Sequence, residues 1–388
     1  EERCLYTPVP ILLNGRAPFG YRGTRHIEMF GGLSGEWSVR IIAADRNLLD
    51  RSRTSSTDPR FRFVPTTPYG SNGVARIINW ISYTLSATAV GLTTDRPDVV
   101  YASSPHLLAG AAGWLIARVR RAGFILEVRD LWPKVLVEMD RMAESSLLYR
   151  GLEALEAGLY RSADAVVILA EGSEDRIREV AGSSKLVEFI PNGADIDRFA
   201  GVDPDQEAQP LVFIYAGAHG PANGLDLLLD AAEELSAQGV ECEIRLVGDG
   251  VSKQDLVAIA EARGLTNVEF RDAVPKEGMP AEFQQAQVGL HVLADIDLFR
   301  YGVSPNKLFE YMAADLPVIT NTPGEVSEIV RTAGAGIATE PSGLARAIRA
   351  MVELGSGDRR SLGSNGRSWV VRNRARHALA GRLESLLD

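Results

Sequence analysis

At 388 residues, with 45% hydrophobic, 24% charged and 7% aromatic side chains, the chain carries apolar material for two cores and lacks the polarity of a disordered segment. A net charge of -10 and a pI near 5.2 exclude a protein whose main task is gripping nucleic acid through its phosphates, so any anion site must be local. Cys4 and Cys242 stand far apart without Cys-x-x-Cys spacing, which signals neither a disulfide framework nor a zinc site.

In chain order, short β-rich runs alternate with stretches of helical periodicity. The runs at 39–42, 98–101, 123–128 and 165–169, each followed by a helical pattern, predict βαβ units in a parallel sheet buried on both faces. A polar, proline-containing stretch at 200–210 reads as a linker. A second series follows at 211–215, 242–247, 268–270, 288–292 and 317–320. The fold class expected is therefore α/β: two doubly wound domains in tandem, at 1–199 and 200–366, facing a central cleft. A tail at 367–388, with helical spacing through Trp369, Val370, Leu379, Leu383 and Leu386, can pack on either domain, including a return to the first.

Chemistry in such sheets belongs just after the strands. The loop Phe19-Gly20-Tyr21-Arg22-Gly23-Thr24-Arg25-His26 precedes a helix where the first domain would close over a diphosphate, Gly23 being its donor-side candidate. The stretches around 77–85 and 114–121 combine aromatics, aliphatics and, in the second, clustered arginines; each reads as core packing or as a face for anionic lipid. Glu127-Val128-Arg129-Asp130-Leu131-Trp132-Pro133 ends a strand with charge. Arg129 and Asp130 could orient an acceptor hydroxyl or touch the donor sugar, or tie the strand end to its neighbours.

In the second half, Tyr215-Ala216-Gly217-Ala218-His219-Gly220-Pro221-Ala222-Asn223-Gly224 is a glycine-rich turn between a strand and a helix, suited to a diphosphate through backbone approach and free N–H groups, or else a plain βα loop. In Ser304-Pro305-Asn306-Lys307-Leu308-Phe309-Glu310, Ser304 reads as a helix N-cap and Pro305 as the first helical position. Lys307 would then face phosphate oxygens and Glu310, one turn on, ribose hydroxyls; the alternative is a solvated Lys–Glu pair. His26, His106, His219 and His291 lack metal-ligand spacing, so no metal is expected.

Together these segments resemble glycosyltransferase family 4, and within it bacterial O-antigen and capsule transferases of the N-acetylfucosaminyltransferase type. The carriers, in family order, are Tyr101-Ala102-Ser103-Ser104-Pro105, the Glu127 to Pro133 segment, Ile190-Pro191-Asn192-Gly193-Ala194-Asp195, the Tyr215 to Gly220 turn, Val247-Gly248-Asp249-Gly250 and Ser304 to Met312. The resemblance implies a GT-B fold of two Rossmann-like domains and transfer of a hexose from a UDP-sugar, with retention and without metal. It implies no cofactor besides the UDP-sugar co-substrate. Donor contacts would come from Gly217, His219, Gly220, Asn223, the backbone of Val274, Ser304, Pro305, Asn306, Lys307 and Glu310, with Arg129, Asp130 and Lys307 as catalytic candidates. The first glutamate of the family's E-x7-E motif falls at Gly302, and its usual phosphate-loop arginine and lysine fall near Ala218 and Asn223, which weakens any donor-sugar assignment.

The expected function is transfer of a hexose, N-acetylated by this resemblance, to a lipid-linked or glycan acceptor in surface-polysaccharide synthesis. A GT-B sugar-nucleotide epimerase and a noncatalytic GT-B partner of another transferase stay open at this point. No run reaches 18 uninterrupted apolar residues, and the opening Glu1-Glu2-Arg3-Cys4 lacks the layout of a signal peptide. The expectation is a cytoplasmic protein with peripheral contact at the inner membrane face and no nucleic-acid partner.

Overall fold

The computed structural model of the chain describes residues 3–9, 25–33, 37–46, 53, 58–69, 73–138, 142–296 and 302–387. It divides into two compact units, residues 1–191 with 379–388, and residues 192–378.

The first unit alternates β1 (Arg3–Val9), α1 (Arg25–Gly31), β2 (Trp37–Ala44), β3 (Phe61–Val64), α2 (Val74–Thr93), β4 (Val99–Ser104), α3 (Leu107–Arg120), β5 (Gly123–Val128), α4 (Lys134–Glu138), α5 (Leu147–Ser162), β6 (Ala165–Ile168), α6 (Glu174–Ala181) and β7 (Leu186–Phe189). Its strands pair in the order β3-β2-β1-β4-β5-β6-β7, all parallel. The order reverses between β1 and β4, the switch point where doubly wound sheets open a crevice for ligands.

The second unit runs β8 (Leu211–Ala216), α7 (Asp226–Ala237), β9 (Cys242–Val247), α8 (Lys253–Ala262), β10 (Val268–Arg271), α9 (Met279–Gln284), β11 (Val288–His291), α10 (Asn306–Ala313), β12 (Val318–Thr320), α11 (Glu325–Ala333), β13 (Gly336–Ala338), α12 (Leu344–Glu353) and α13 (Ser356–Asn373). The sheet order is β10-β9-β8-β11-β12-β13, again parallel, with its switch point between β8 and β11.

Alternation along the strands explains both sheets. In β8, Val212, Ile214 and Ala216 enter one core while Leu211, Phe213 and Tyr215 enter the other. In β5, Ile125 faces one layer and Phe124, Leu126 and Val128 the opposite one. Both faces of each sheet are thus covered by helices, which is why the strands read as continuous apolar runs.

Three sequence expectations are corrected. The stretch at 200–210 is no free linker: Gln206 is buried, donates to Gln287 O and accepts from Arg359, while Asp203 N–H donates to Gln284 Oε1. Buried polar groups with this many partners fix a segment in place. The unit boundary falls at 191/192 rather than at 199/200. The tail, read as one helical stretch, is two helices: α13 ends at Asn373 and α14 spans Arg376–Leu387. Val370 packs into the second unit, whereas Leu379, Leu383 and Leu387, four residues apart on one face, pack with Leu5, Phe30 and Trp37 of the first.

Candidate functional site

The second unit assembles its site at the carboxyl ends of β8, β9 and β11. Behind β8, the turn at Gly217 to His219 is zipped to the loop behind β9: His219 N–H donates to Asp249 O and Ser252 N–H to His219 O, both at 2.9 Å. Gly248 permits this approach, since its φ of 155° suits glycine and a Cβ there would run into the Gly217 carbonyl.

Under this turn lies Lys307, on the first turn of α10. Its Nζ donates to Tyr215 Oη at 2.7 Å and to Asn223 Oδ1 at 3.3 Å, and stands 4.0 Å from the centre of the Tyr215 ring. The Tyr215 hydroxyl in turn donates to Ala218 O at 2.8 Å. A Cβ on Gly217 would stand 3.0 Å from Nζ, so glycine keeps the ammonium open to that side. Burial lowers the Lys307 pKa to about 7, against the raising effect of Glu310. An ammonium whose hydrogen-bond acceptors, Tyr215 Oη and Asn223 Oδ1, are neutral oxygens is poised to gain from an arriving anion.

Helix α10 begins with Pro305 in extended conformation and carries no side-chain cap. Its first N–H groups therefore retain the free donors and partial positive charge of a helix N-terminus, beside Lys307. The expectation that Ser304 caps the helix and Pro305 opens it is corrected. Ser304 Oγ instead accepts the Asn192 N–H at 2.8 Å, and Ser304 O accepts from the Asn192 side-chain amide at 2.6 Å. The helix starts at Asn306. The glycine-rich turn also differs from the expected direct entry into a helix: Leu227 and Leu228 N–H groups are taken by Gly224 O and Leu225 O, so free donors belong to α10 rather than to the start of α7.

Glu310 is not the partner of Lys307 in a solvated pair. Its carboxylate lies 3.3 Å from Lys276 Nζ and 4.0 Å from Arg376 Nη2, and is mostly buried. Val274 packs its side chain against the α10 side of the core, two residues before Lys276. His219 and His291 are buried and neutral. Burial, with Lys253 and Lys307 adding to it, lowers the His219 pKa to about 4; burial, then Lys307, lowers that of His291 to about 3. His291 Nδ1 lies 3.0 Å from Thr320 Oγ1 and 3.2 Å from Thr322 Oγ1. Gly220 accepts from the Asn223 amide at 3.4 Å.

In the first unit, Arg129 and Asp130 sit just past β5, half-buried and exposed, and neither enters an ion pair among the described residues. The tie to neighbours falls to Glu127 instead. Its buried carboxylate accepts from Arg25 Nε at 2.8 Å, Tyr101 Oη at 2.7 Å and Ser103 Oγ at 2.8 Å, with His26 Nε2 at 3.1 Å. Burial alone would raise its pKa, but Arg25, His26 and Arg129 hold it well below the usual range. Gly23, like residues 19–24 as a whole, lies outside the described residues.

Sequence reasoning passed over Tyr215, Asn192, Lys276, Arg376 and Glu127 as partners. Lysine scarcity made Lys276 findable, because the chain holds only five lysines. The remaining partners meet only through long-range packing. Among the described residues no cluster of His, Cys, Asp and Glu could hold a metal ion, and no helix is long and apolar enough to cross a membrane.

Comparison with known proteins identifies the family of both halves of the chain. Residues 29–193 match the Glycosyl transferase 4-like domain and residues 210–354 the Glycosyl transferases group 1 domain. The probable glycosyltransferase WbjE of Pseudomonas aeruginosa is 25% identical over 78% of this chain and 76% of its own length. The putative colanic acid biosynthesis glycosyl transferase WcaI of Escherichia coli is 24% identical over 65% of this chain and 63% of its own length. Among solved structures, sucrose-phosphate synthase from Thermosynechococcus elongatus superposes with a TM-score of 0.73 at 16% identity, covering 99% of this chain and 98% of its own. HepE of Anabaena in complex with UDP gives 0.68 at 16%, covering 99% of both chains. The chain is thus a glycosyltransferase of GT-B fold, built from a 4-like domain followed by a group 1 domain.

Proposed function

We propose that the chain transfers a hexose from a UDP-sugar, with retention of configuration and without a metal, to a lipid-linked or glycan acceptor in surface-polysaccharide biosynthesis. The observation that carries the donor half is Lys307, buried against Tyr215 and Asn223 beside the uncapped start of α10. Support for the nucleotide comes from HepE, solved with UDP and with UDP-glucose. Support for the setting comes from WcaI, named for colanic acid biosynthesis, and WaaG, named for lipopolysaccharide biosynthesis.

In this reading the diphosphate rests on Lys307 Nζ, the first N–H groups at Asn306 and Lys307, and the turn of Gly217, His219, Gly220 and Asn223. Ser304 and Pro305 set the entry of the helix. Glu310, held by Lys276 and Arg376, accepts hydrogens from the ribose hydroxyls, and the Val274 backbone meets the base. The bond from the sugar C1 to the phosphate oxygen breaks while the acceptor oxygen bonds to C1 on the same face. The acceptor proton passes to the departing phosphate oxygen. Preorganised donors at a developing phosphate charge supply several kcal/mol in such reactions. Arg129 and Asp130 orient the acceptor hydroxyl.

The protein works in the cytoplasm against the inner membrane face. Exposed Ile77, Ile78, Ile81 and Leu85 of α2 lie beside exposed Trp114, Leu115 and Val119 of α3, with exposed Arg118 and Arg121 supplying positive charge for anionic lipid.

The test is a transfer assay in chelator, offering UDP-hexoses and UDP-N-acetylhexoses with lipid-linked diphosphate sugars, and reading the anomeric configuration of the product. The reading expects metal-independent product of the donor's configuration. An inverted product, or transfer only when metal is restored, would refute it.

A further inference from the structure

The first unit carries a second group of polar atoms, around Trp80 of α2. His106, directly behind β4, stacks on the Trp80 ring with centroids 4.6 Å apart and planes 22° off parallel. Trp132, behind the adjacent strand β5, meets the same ring edge-on at 5.7 Å and 89°. The Arg76 guanidinium, one turn before Trp80, stands 5.4 Å from its centre. The group thus lies at the carboxyl ends of β4 and β5, beside the switch point where ligands enter such sheets.

The protonation of His106 follows from its backbone contact. As N-cap of α3 it accepts the Ala109 N–H on Nδ1 at 3.2 Å, so Nδ1 carries no proton. Burial, then Arg76, lowers the pKa of the ring to about 3, so the ring is neutral and its single proton resides on Nε2. That buried N–H, and the buried indole N–H of Trp132, have no hydrogen-bond partner among the described residues. His106 as a residue is only 1% exposed. Buried donors left unmet are uncommon and costly, and call for an acceptor.

Among the described residues the unmet side-chain groups of His106 and Trp132 are both N–H donors with a guanidinium beside them, and donors of this kind select an oxygen-rich anion. A neutral glycan would need acceptors as well as donors. We propose that the His106 and Trp132 N–H groups, with Arg76 beside them, form a phosphoryl-binding site in the first unit that takes the phosphate or diphosphate of the acceptor. In naming the acceptor, the inference rests on the transfer reading above; the anion site itself stands without it. The exposed apolar residues Ile77, Ile78 and Ile81 on the same stretch of α2 suit a lipid tail attached to that phosphate.

The test uses the full chain, with nitrogen-labelled histidine and tryptophan side chains followed by NMR, in saturating UDP. Inorganic pyrophosphate and geranyl diphosphate are titrated separately. Trp132→Phe, which keeps the ring and removes the donor, identifies the Trp132 signal, and Arg76→Gln keeps a polar side chain without the charge. The expected result is saturable movement of the His106 Nε2 and Trp132 indole signals. Affinity should fall at least tenfold in both variants while their UDP affinity is unchanged. Tighter binding of geranyl diphosphate assigns the phosphate to a lipid, and equal binding assigns it to a water-soluble phosphate; both support the site. Absence of movement with either compound, or variants that bind as tightly as the parent, would overturn it. A chain that binds no UDP yet shows the movement would refute the donor reading while supporting this one.

Discussion

Lys307 Nζ sits 2.7 Å from the Tyr215 hydroxyl, which itself donates a hydrogen bond to Ala218 O at 2.8 Å. A residue at the end of β8 thereby aims a residue of α10 whose neighbours in sequence give no hint of it. Tyr215→Phe removes the oxygen and keeps the ring. Nucleotide affinity should weaken about tenfold or more, the low end of the scale of one hydrogen bond to a charged group, with little change in thermal stability. Unchanged affinity would show that Lys307 needs no aiming by Tyr215.

Nucleotide binding should depend on pH near neutrality. With the Lys307 pKa lowered to about 7 by burial, the free site is half protonated there, and a bound diphosphate raises that pKa by its charge. Binding therefore takes up a proton above pH 7, and affinity falls as pH rises from 7 to 9. Calorimetry in buffers of different ionisation enthalpy reads the uptake directly, and Lys307→Met should abolish it. Proton release would contradict this assignment.

Glu127 should matter for stability rather than for nucleotide binding. Glu127→Gln leaves the buried Arg25 without its carboxylate, a change that costs about 3–5 kcal/mol in comparable buried pairs. The folded pKa lies well below the ordinary carboxylate value, so this stabilisation is present above roughly pH 4.3 and is lost as pH falls through the folded value. Denaturant unfolding of the variant at pH 7 checks the first statement. A pH series of the parent checks the second.

Ser304→Ala should loosen the start of α10, because Asn192 N–H loses its acceptor at 2.8 Å while the bond to Ser304 O remains. A loss of about 1 kcal/mol in stability is expected, with a small rise in the nucleotide dissociation constant. Hydrogen exchange at Asn192 reports the change locally. Unaltered exchange would mean that Ser304 Oγ does not hold that N–H.

Vesicle sedimentation checks the apolar faces of α2 and α3. The chain should bind vesicles rich in anionic phospholipid, and Ile78→Glu with Ile81→Glu should release it. Equal binding to purely zwitterionic vesicles would remove the role given to Arg118 and Arg121.

The doubly wound character of both units was legible because strands buried on both faces read as unbroken apolar runs, as at Ala165–Ile168 and Leu211–Ala216. Less legible were Phe61–Val64, Leu186–Phe189 and Gly336–Ala338, short strands with half-exposed positions that break the run. The stretch at 200–210 looked like a linker because its residues are polar. Only the fold brings Arg359 and Gln287 to Gln206. In the site, Lys307 and Glu310 were readable as a helical spacing, but their partners were not: Tyr215 and Arg376 lie far from them in sequence. The cap reading of Ser304 failed because a serine before a proline looks the same whether its oxygen meets its own helix or, as here, Asn192.

The most direct test of the donor site is calorimetric titration of UDP, GDP and TDP into the purified chain without added metal, repeated on Lys307→Ala and Glu310→Ala. The account predicts micromolar UDP binding, weaker GDP and TDP binding, and loss of at least tenfold in each variant. Equal binding of UDP by the parent and both variants, or no nucleotide binding by the parent, would contradict it.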